Sequence, residues 1–128
     1  MTVKDLEGTK PKKDFTFDHA FWSHDGMVFR DDGYAEPAPG SNYTDQIKVW
    51  ELLGENVLKK AWMGLNNTIF AYGQTGAGKS YSIFGYPGNK GIIPMAAEKL
   101  FVKIGAETEA NVRYEVTVQM VEIYMEKI

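Results

Sequence analysis

A regular spacing of apolar residues predicts one long helix in the middle of the chain. The residues that form its apolar stripe are Ile47, Trp50, Leu53, Val57 and Ala61. Thr44 is the predicted N-cap of this helix, and Asp45 places a negative charge where the helix dipole favours one. Gly64 is suited to end the helix.

Three other segments have the pattern of β-strands. Residues 15–22 alternate bulky aromatic groups with smaller or polar ones, residues 68–72 are a short apolar run, and residues 113–120 alternate apolar with polar positions. We expect the first segment to be half-buried and the second to be buried on both faces of a parallel sheet. The third is expected to extend through residue 124.

Glycine and proline residues set the limits of the remaining segments. A short helix is predicted over residues 79–84, and a second helical segment is predicted to have Pro94 in its first turn and to end at Gly105. The segments predicted as loops are residues 23–43, residues 86–91 and, with a weak edge hairpin as the alternative, residues 1–14. The order of strand, helix, strand, helix and strand indicates an α/β fold.

Composition and charge exclude several classes of function. The chain has 128 residues and a formal net charge of −3, which gives no electrostatic signature of a nucleic-acid partner. No stretch approaches the run of about 18 apolar residues that a membrane span needs, so we expect a soluble protein. The absence of cysteine excludes disulfide frameworks and thiolate metal sites, and it agrees with a reducing intracellular compartment.

Gly73 to Ser80, with the sequence G-Q-T-G-A-G-K-S, match the phosphate-binding pattern G-x-x-x-x-G-K-S/T. Glycines have no Cβ, so the backbone can adopt positive φ and direct successive N–H groups toward phosphate oxygens. We expect the ammonium of Lys79 to lie on the β- and γ-phosphates and the hydroxyl of Ser80 to be the protein ligand of Mg²⁺. The alternative is a glycine-rich turn that binds nothing.

The residues around this motif resemble the P-loop signature of kinesin motors. The similarity runs through I-F-A-Y-G-Q-T-G-A-G-K-S-Y, from Ile69 to Tyr81. The other blocks that occur in the family's order are Phe15 to Asp18, Gly91 to Pro94 and Val121 to Tyr124, and the choices at Phe21 to Ser23, Ala77, Ser80 and Tyr81 resemble the kinesin-3 transport motors. The chain departs from the family pattern at Met95, where an arginine is frequent, and at Met125, where an asparagine is usual.

The resemblance implies an α/β P-loop NTPase fold with a central mixed sheet flanked by helices, of which residues 1–128 are the N-terminal part of a motor domain. It implies ATP or ADP and Mg²⁺ as cofactors, the microtubule (tubulin) as partner, and a cytoplasmic, cytoskeletal location. The residues that match the family's nucleotide site are Gln74, Thr75, Gly76, Ala77, Gly78, Lys79, Ser80 and Tyr81, and Ser80 is also the metal ligand. By position, Tyr81 matches the residue that stacks on adenine.

The family's catalytic residues lie in switch I and in the Asp-x-x-Gly of switch II, which follow the P-loop and are expected outside this sequence. Asp18, Asp31 and Asp45 have no glycine at the required spacing. No catalytic residue is therefore assigned, and residues 1–128 alone are expected to bind nucleotide with little hydrolysis. In the kinesin sheet the P-loop strand lies between strands from the later half, so the strands predicted here are mostly not neighbours and leave open edges.

Two other functions remain open on the sequence. One is a non-catalytic nucleotide-binding or regulatory module that keeps the P-loop without the switches. The other is an unrelated P-loop enzyme such as a small kinase, which would need an aspartate after an apolar strand and a basic lid. His19 and His24 are not spaced with other ligands as a metal pair, so we interpret them as ordinary side chains.

Overall fold

The computed structural model describes residues 2–3, 13–109 and 111–128. Helices and short hairpins alternate along these residues. The strands are β1 (Thr2–Val3), β2 (Lys13–Asp14), β3 (Met27–Phe29), β4 (Ala35–Pro37), β5 (Gly85–Tyr86) and β6 (Asn89–Lys90). The helices are α1 (Gln46–Val49), a π-helical turn (Trp50–Gly54), α2 (Glu55–Trp62), α3 (Lys79–Ile83) and α4 (Ile92–Gly105).

The long helix predicted from the apolar stripe is confirmed as the continuous run of α1, the π-helical turn and α2. Its N-cap is Asp45 and not Thr44, because the Asp45 carboxylate accepts the backbone N–H of Lys48 at 2.7 Å. After Trp62 the chain leaves the helix, and Gly64 adopts φ +80°. The predicted end at this glycine is confirmed.

A large side chain lies against the π-helical turn. The ring of Trp50 is only 4% exposed and covers Gly54, where an added Cβ would lie 2.2 Å from the ring. A side chain at position 54 would therefore displace the tryptophan from the interior. Trp50 belongs to the core, as its place on the apolar stripe predicts.

The described strands pair as three antiparallel hairpins, β1 with β2, β3 with β4 and β5 with β6. The pairing of β1 with β2 agrees with the alternative of a weak edge hairpin, and most of residues 1–14 lie outside the described residues. The hairpins β3–β4 and β5–β6 fall in segments predicted as loops, so those two predictions are wrong. Both hairpins are very short and contain turn residues, which conceals the alternation of a strand.

One buried side chain joins hairpin β3–β4 to hairpin β5–β6. Oδ1 of Asn89 accepts the N–H of Ala35 at 2.8 Å, and its Nδ2 donates to the carbonyl oxygen of Gly33 at 2.8 Å. Asn89 is 7% exposed, so both halves of its amide are satisfied out of water. The core of the described residues lies around this contact and includes Tyr34, Ala35, Tyr43, Trp50 and Ile92.

The three segments predicted as strands from their sequence pattern form no ladder within the part of the chain that the structure describes. Residues 15–22 are irregular with one bridge from Trp22 to Tyr43, and residues 68–72 and 113–123 are without strand pairing. A strand exists through hydrogen bonds to a neighbour, and the described residues supply none here. The expected burial is wrong as well, since Phe70 is 82% exposed and Tyr72 is 95% exposed.

Candidate functional site

The glycine-rich turn adopts the backbone conformation that the motif predicts. Gly76 and Gly78 have φ of +82° and +84°, the left-handed region that glycine enters without steric cost. The N–H of Ala77 donates to the carbonyl oxygen of Gln74 at 3.1 Å, which closes the turn. An added Cβ at Gly76 or Gly78 would meet nothing within 4 Å, so open space lies above the loop.

Lys79 folds back over the loop that precedes it. Its Nζ donates to the carbonyl oxygens of Gly73 and Gln74, both at 2.8 Å. No carboxylate forms a salt bridge with this ammonium among the described residues. The loop therefore holds a positive charge next to its own backbone without neutralising that charge.

The amides of the first turn of α3 are available at the same place. Lys79, Ser80 and Tyr81 are its first residues, and intrahelical bonding begins with Ser82, whose N–H donates to Gly78 at 2.9 Å. The side chain of Ser80 is exposed and makes no hydrogen bond within the described residues. The glycine-rich turn, the N-terminal end of α3 and the Lys79 ammonium can together bind an anion that has several oxygens.

The donor set also fits a magnesium ion that arrives with phosphates. The cavity above the loop measures about 410 Å³ and contains the Ser80 hydroxyl but no carboxylate. Mg²⁺ is commonly held by one or two protein oxygens together with phosphate oxygens and water. The described residues contain no group of three or more histidine, cysteine, aspartate or glutamate side chains that could hold a metal ion without such a ligand.

Tyr81 lines this cavity and also a second cavity of about 680 Å³. Burial raises the pKa of its hydroxyl, and the neighbouring Tyr43 hydroxyl raises it further, so the group is neutral at physiological pH. Its ring lies 5.9 Å from the ring of Tyr86, tilted by 32°. The structure thus places Tyr81 beside the loop with an aromatic neighbour.

Two residues that join the elements around the loop could not be identified from the sequence. The side chain of Gln46 is buried, and its Nε2 donates to the carbonyl oxygen of Tyr81 at 2.6 Å, which fixes α1 against α3. Asn89 ties the turn after α3 to hairpin β3–β4. A glutamine in the first turn of a helix and an asparagine after Pro-Gly have common local explanations, so neither carries a signal of these contacts.

The structure brings the residues of the P-loop motif together, but neither switch I nor switch II is among the described residues. One tetrapeptide with the Asp-x-x-Gly spacing, Asp5 to Gly8, does occur in the sequence. It precedes the P-loop, whereas switch II follows it in the family pattern, and it lies outside the described residues. No helix among the described residues is long and apolar enough to cross a membrane.

The comparison with protein families identifies the family to which this chain belongs. The model of the kinesin motor domain matches residues 1–128. The chain belongs to the kinesin family. The kinesin-like protein KIF28 of Rattus norvegicus is 45% identical over 129 residues, and the kinesin-related protein 1 of Dictyostelium discoideum is 42% identical over 120 residues. Similar proteins include kinesin-3 members, among them KIF1A of Rattus norvegicus with 41% identity, so the resemblance in the sequence is confirmed.

Solved kinesin structures confirm the fold class. KIF14 with ADP, in complex with a microtubule, matches 85% of this chain and 27% of its own with a TM-score of 0.69 and 35% identity. The KIF14 dimer with AMP-PNP, in its two-heads-bound state on a microtubule, matches 81% of this chain and 25% of its own with a TM-score of 0.65 and 36% identity. The present kinesin chain spans 12% of the length of KIF28 and 5% of that of the Dictyostelium protein.

Proposed function

We propose that this chain is the ATP-binding part of a microtubule-based motor ATPase, with residues 1–128 as the N-terminal part of the motor domain. The observation that carries the proposal is the position of Lys79, whose ammonium lies on the carbonyl oxygens of Gly73 and Gln74 beside unpaired amides of α3. A motor of this family works at microtubules, so the protein acts in the cytoplasm on the cytoskeleton. The solved KIF14 structures, with ADP or AMP-PNP on microtubules, support this reading.

Each residue of the motif has a role in holding ATP or ADP. Backbone amides of the loop and of the first turn of α3 surround the phosphates, and Lys79 exchanges its carbonyl partners for phosphate oxygens. Ser80 would hold Mg²⁺ through its hydroxyl oxygen, and the bound ion would neutralise part of the phosphate charge. The ring of Tyr81 stacks on the adenine.

Hydrolysis requires groups beyond this loop. The transition state of phosphoryl transfer needs a positioned water and donors for the developing charge, and the P-loop supplies only the binding half of that arrangement. We therefore infer that residues 1–128 retain nucleotide and hardly hydrolyse it. The motor activity belongs to the complete protein.

Titration with a fluorescent ADP analogue in the presence of Mg²⁺ tests the site. Saturable binding is expected for the wild type, and Lys79→Ala is expected to weaken it at least about a hundredfold, because the charge-assisted bonds to phosphate are lost. Omission of Mg²⁺ is expected to weaken binding by a smaller factor.

Lys60→Ala is the matched control, since Lys60 is exposed on α2 and has no ion pair or hydrogen bond from its side chain among the described residues. This control is expected to bind as the wild type does. Equal retention of the analogue by Lys79→Ala and Lys60→Ala, with both proteins folded by circular dichroism, would refute the assignment.

A further inference from the structure

A second cavity, of about 680 Å³, continues from the P-loop toward hairpin β3–β4. Gly76, Gly78, Tyr81 and Tyr86 line both this cavity and the one above the loop. The two cavities therefore adjoin at the residues that are proposed to hold the phosphates. A nucleotide bound through its phosphates extends into one of its neighbouring spaces, and the volume lies within the range of small-molecule sites.

We propose that hairpin β3–β4 is a wall of the purine-base site, in which Met27 and Phe29 contact the base and Asn89 is the positioning residue that holds the hairpin. This inference rests on the proposed nucleotide function and adds to it a set of specificity-determining residues that the P-loop motif does not include. The base is recognised by its flat aromatic surface.

The side chains that line the cavity suit such a base. None of its lining residues carries a carboxylate, and six of the fourteen are phenylalanine, tryptophan or tyrosine: Phe21, Trp22, Phe29, Tyr43, Tyr81 and Tyr86. Aromatic rings stack on purine bases with little dependence on the base's own hydrogen-bonding groups. Trp22 is fixed at the rim, because its Nε1 donates to the Asp25 carboxylate at 2.9 Å.

The strand geometry selects which residues of the hairpin reach the cavity. Met27 and Phe29 are two positions apart on β3, so they share one face, and both line the cavity. Val28 lies between them on the opposite face and is not among the lining residues. Phe29 is 68% exposed, so its ring has surface available for a ligand.

The hairpin is held in this place by contacts with the turn after α3. Asn89 bonds to the backbone on both sides of Tyr34, through Ala35 and Gly33. Gly88 packs directly on the same backbone, since an added Cβ would lie 2.8 Å from the carbonyl oxygen of Asp32. Asn89 also lines the cavity, so its loss frees the hairpin and removes one polar side chain from the wall, while the aromatic lining residues and the P-loop are unchanged.

The test compares the affinities of ADP and inorganic pyrophosphate for the full-length protein in Mg²⁺, because pyrophosphate lacks the base. Met27→Ala/Phe29→Ala is expected to weaken ADP binding about tenfold and to leave pyrophosphate binding unchanged. Asn89→Ala is expected to give the same selective loss, and Asn89→Asp, which keeps an acceptor for Ala35, a smaller one. Val28→Ala is the matched control and is expected to bind both ligands as the wild type does.

Each outcome separates this inference from the proposed function. Unchanged ADP affinity in the double variant would overturn the role of the hairpin. An equal loss of affinity for ADP and pyrophosphate in a folded protein would also overturn it. Neither result would contradict the assignment of the P-loop. Failure of the wild type to bind either ligand would overturn the proposed function itself. If the double variant does not fold, Phe29→Leu keeps the apolar bulk, and a selective loss of ADP affinity is still expected because the aromatic ring is absent.

Discussion

At the scale of single residues, the turn after α3 has no room for side chains at its glycines. Gly85 has φ +79°, and an added Cβ would lie 2.0 Å from the carbonyl oxygen of Asn89. At Gly91 the same atom would lie 2.6 Å from the carbonyl group of Ile83. Backbone from both sides of the turn therefore occupies the space that any other residue would need.

Gly85→Ala is expected to lower the free energy of unfolding by about 3 kcal/mol or more, because it combines a strained φ with overlap against backbone. Chemical denaturation followed by circular dichroism measures the change. Gly105→Ala is the control, since Gly105 is helical and nothing lies within 4 Å of its added Cβ. It is expected to be neutral or to stabilise by up to about 1 kcal/mol, and a cost at Gly105 equal to that at Gly85 would contradict this packing.

Tyr34 makes the free energy of unfolding depend on pH in the alkaline range. Burial raises the pKa of its hydroxyl to about 12, compared with 10.0 for an unburied tyrosine. Its stabilising effect is therefore fully present below pH 10 and is lost as the pH rises toward 12, because only the unfolded chain ionises in that interval. The slope expected from this group is about 1.4 kcal/mol per pH unit.

Urea unfolding of the wild type and Tyr34→Phe between pH 9 and pH 12 isolates this contribution. The phenylalanine variant also loses the acceptor for the Ile47 N–H, a contact of 3.3 Å, and is expected to be slightly less stable at pH 9. Its stability is expected to fall less steeply above pH 10 than that of the wild type. Parallel curves would show that the Tyr34 hydroxyl is not shielded from water.

At the scale of elements, the P-loop helix depends on the helix that precedes it in the chain. Gln46 in the first turn of α1 donates to the carbonyl oxygen of Tyr81 in α3 at 2.6 Å, and its side chain is buried. This contact fixes the angle at which the first turn of α3 faces the loop. A change in α1 therefore acts on the nucleotide site without touching it.

Gln46→Ala is expected to destabilise the protein by about 1 to 3 kcal/mol, because a carbonyl oxygen loses its buried donor. It is also expected to weaken ADP binding severalfold through the displacement of α3. Gln119→Ala, at an exposed position with no hydrogen bond from its side chain among the described residues, is the control for both measurements. Wild-type ADP affinity in a destabilised Gln46→Ala would mean that the contact supports folding alone.

The elements differ in how far the sequence could predict them. The central helix and the short helix after the P-loop were predictable, because helical periodicity and the motif are local signals. Hairpin β3–β4 was missed because its three-residue strands are too short for alternation to be recognised. Residues 68–72 and 113–123 have the composition of strands, yet pairing is a non-local property that composition cannot supply.

Some features of the candidate site could be predicted from the sequence and others could not. The conformation of the glycines and the approach of Lys79 to the loop follow from the motif, because each depends on neighbours in sequence. Gln46 is separated from its partner by 35 positions in the sequence, and Asn89 is separated from its partners by at least 54 positions. No pattern within either segment records these contacts.

At the scale of the whole molecule, the chain leaves a large apolar surface open. Its accessible surface is 11126 Å², whereas a folded monomer of 14.4 kDa has about 6,800 Å². Large exposed side chains occur along much of the described chain, and the two segments without strand pairing carry several of them, including Phe70, Tyr72, Val118, Met120 and Ile123. These segments have the composition to join a larger sheet, which agrees with the motor-domain function proposed above.

Residues 1–128 alone are therefore expected to show no microtubule-stimulated ATPase activity, and the full-length protein is expected to show it. Phosphate release measured with and without microtubules, on both proteins in parallel, checks this difference. A robust stimulated rate from the 128 residues would overturn it. Nucleotide binding without stimulated hydrolysis in the full-length protein would instead identify a non-catalytic nucleotide-binding module.

The two carbonyl contacts of Lys79 also affect the heat of binding. A phosphate that enters the loop meets an ammonium that already uses two of its three N–H donors on protein carbonyl oxygens, both at 2.8 Å. Binding exchanges these bonds for stronger charge-assisted bonds to phosphate, so the enthalpy gained at this lysine is smaller than for an ammonium that has no protein partners beforehand. Calorimetry of ADP binding is expected to give a modest enthalpy, with the release of water and counterions as the larger driving force.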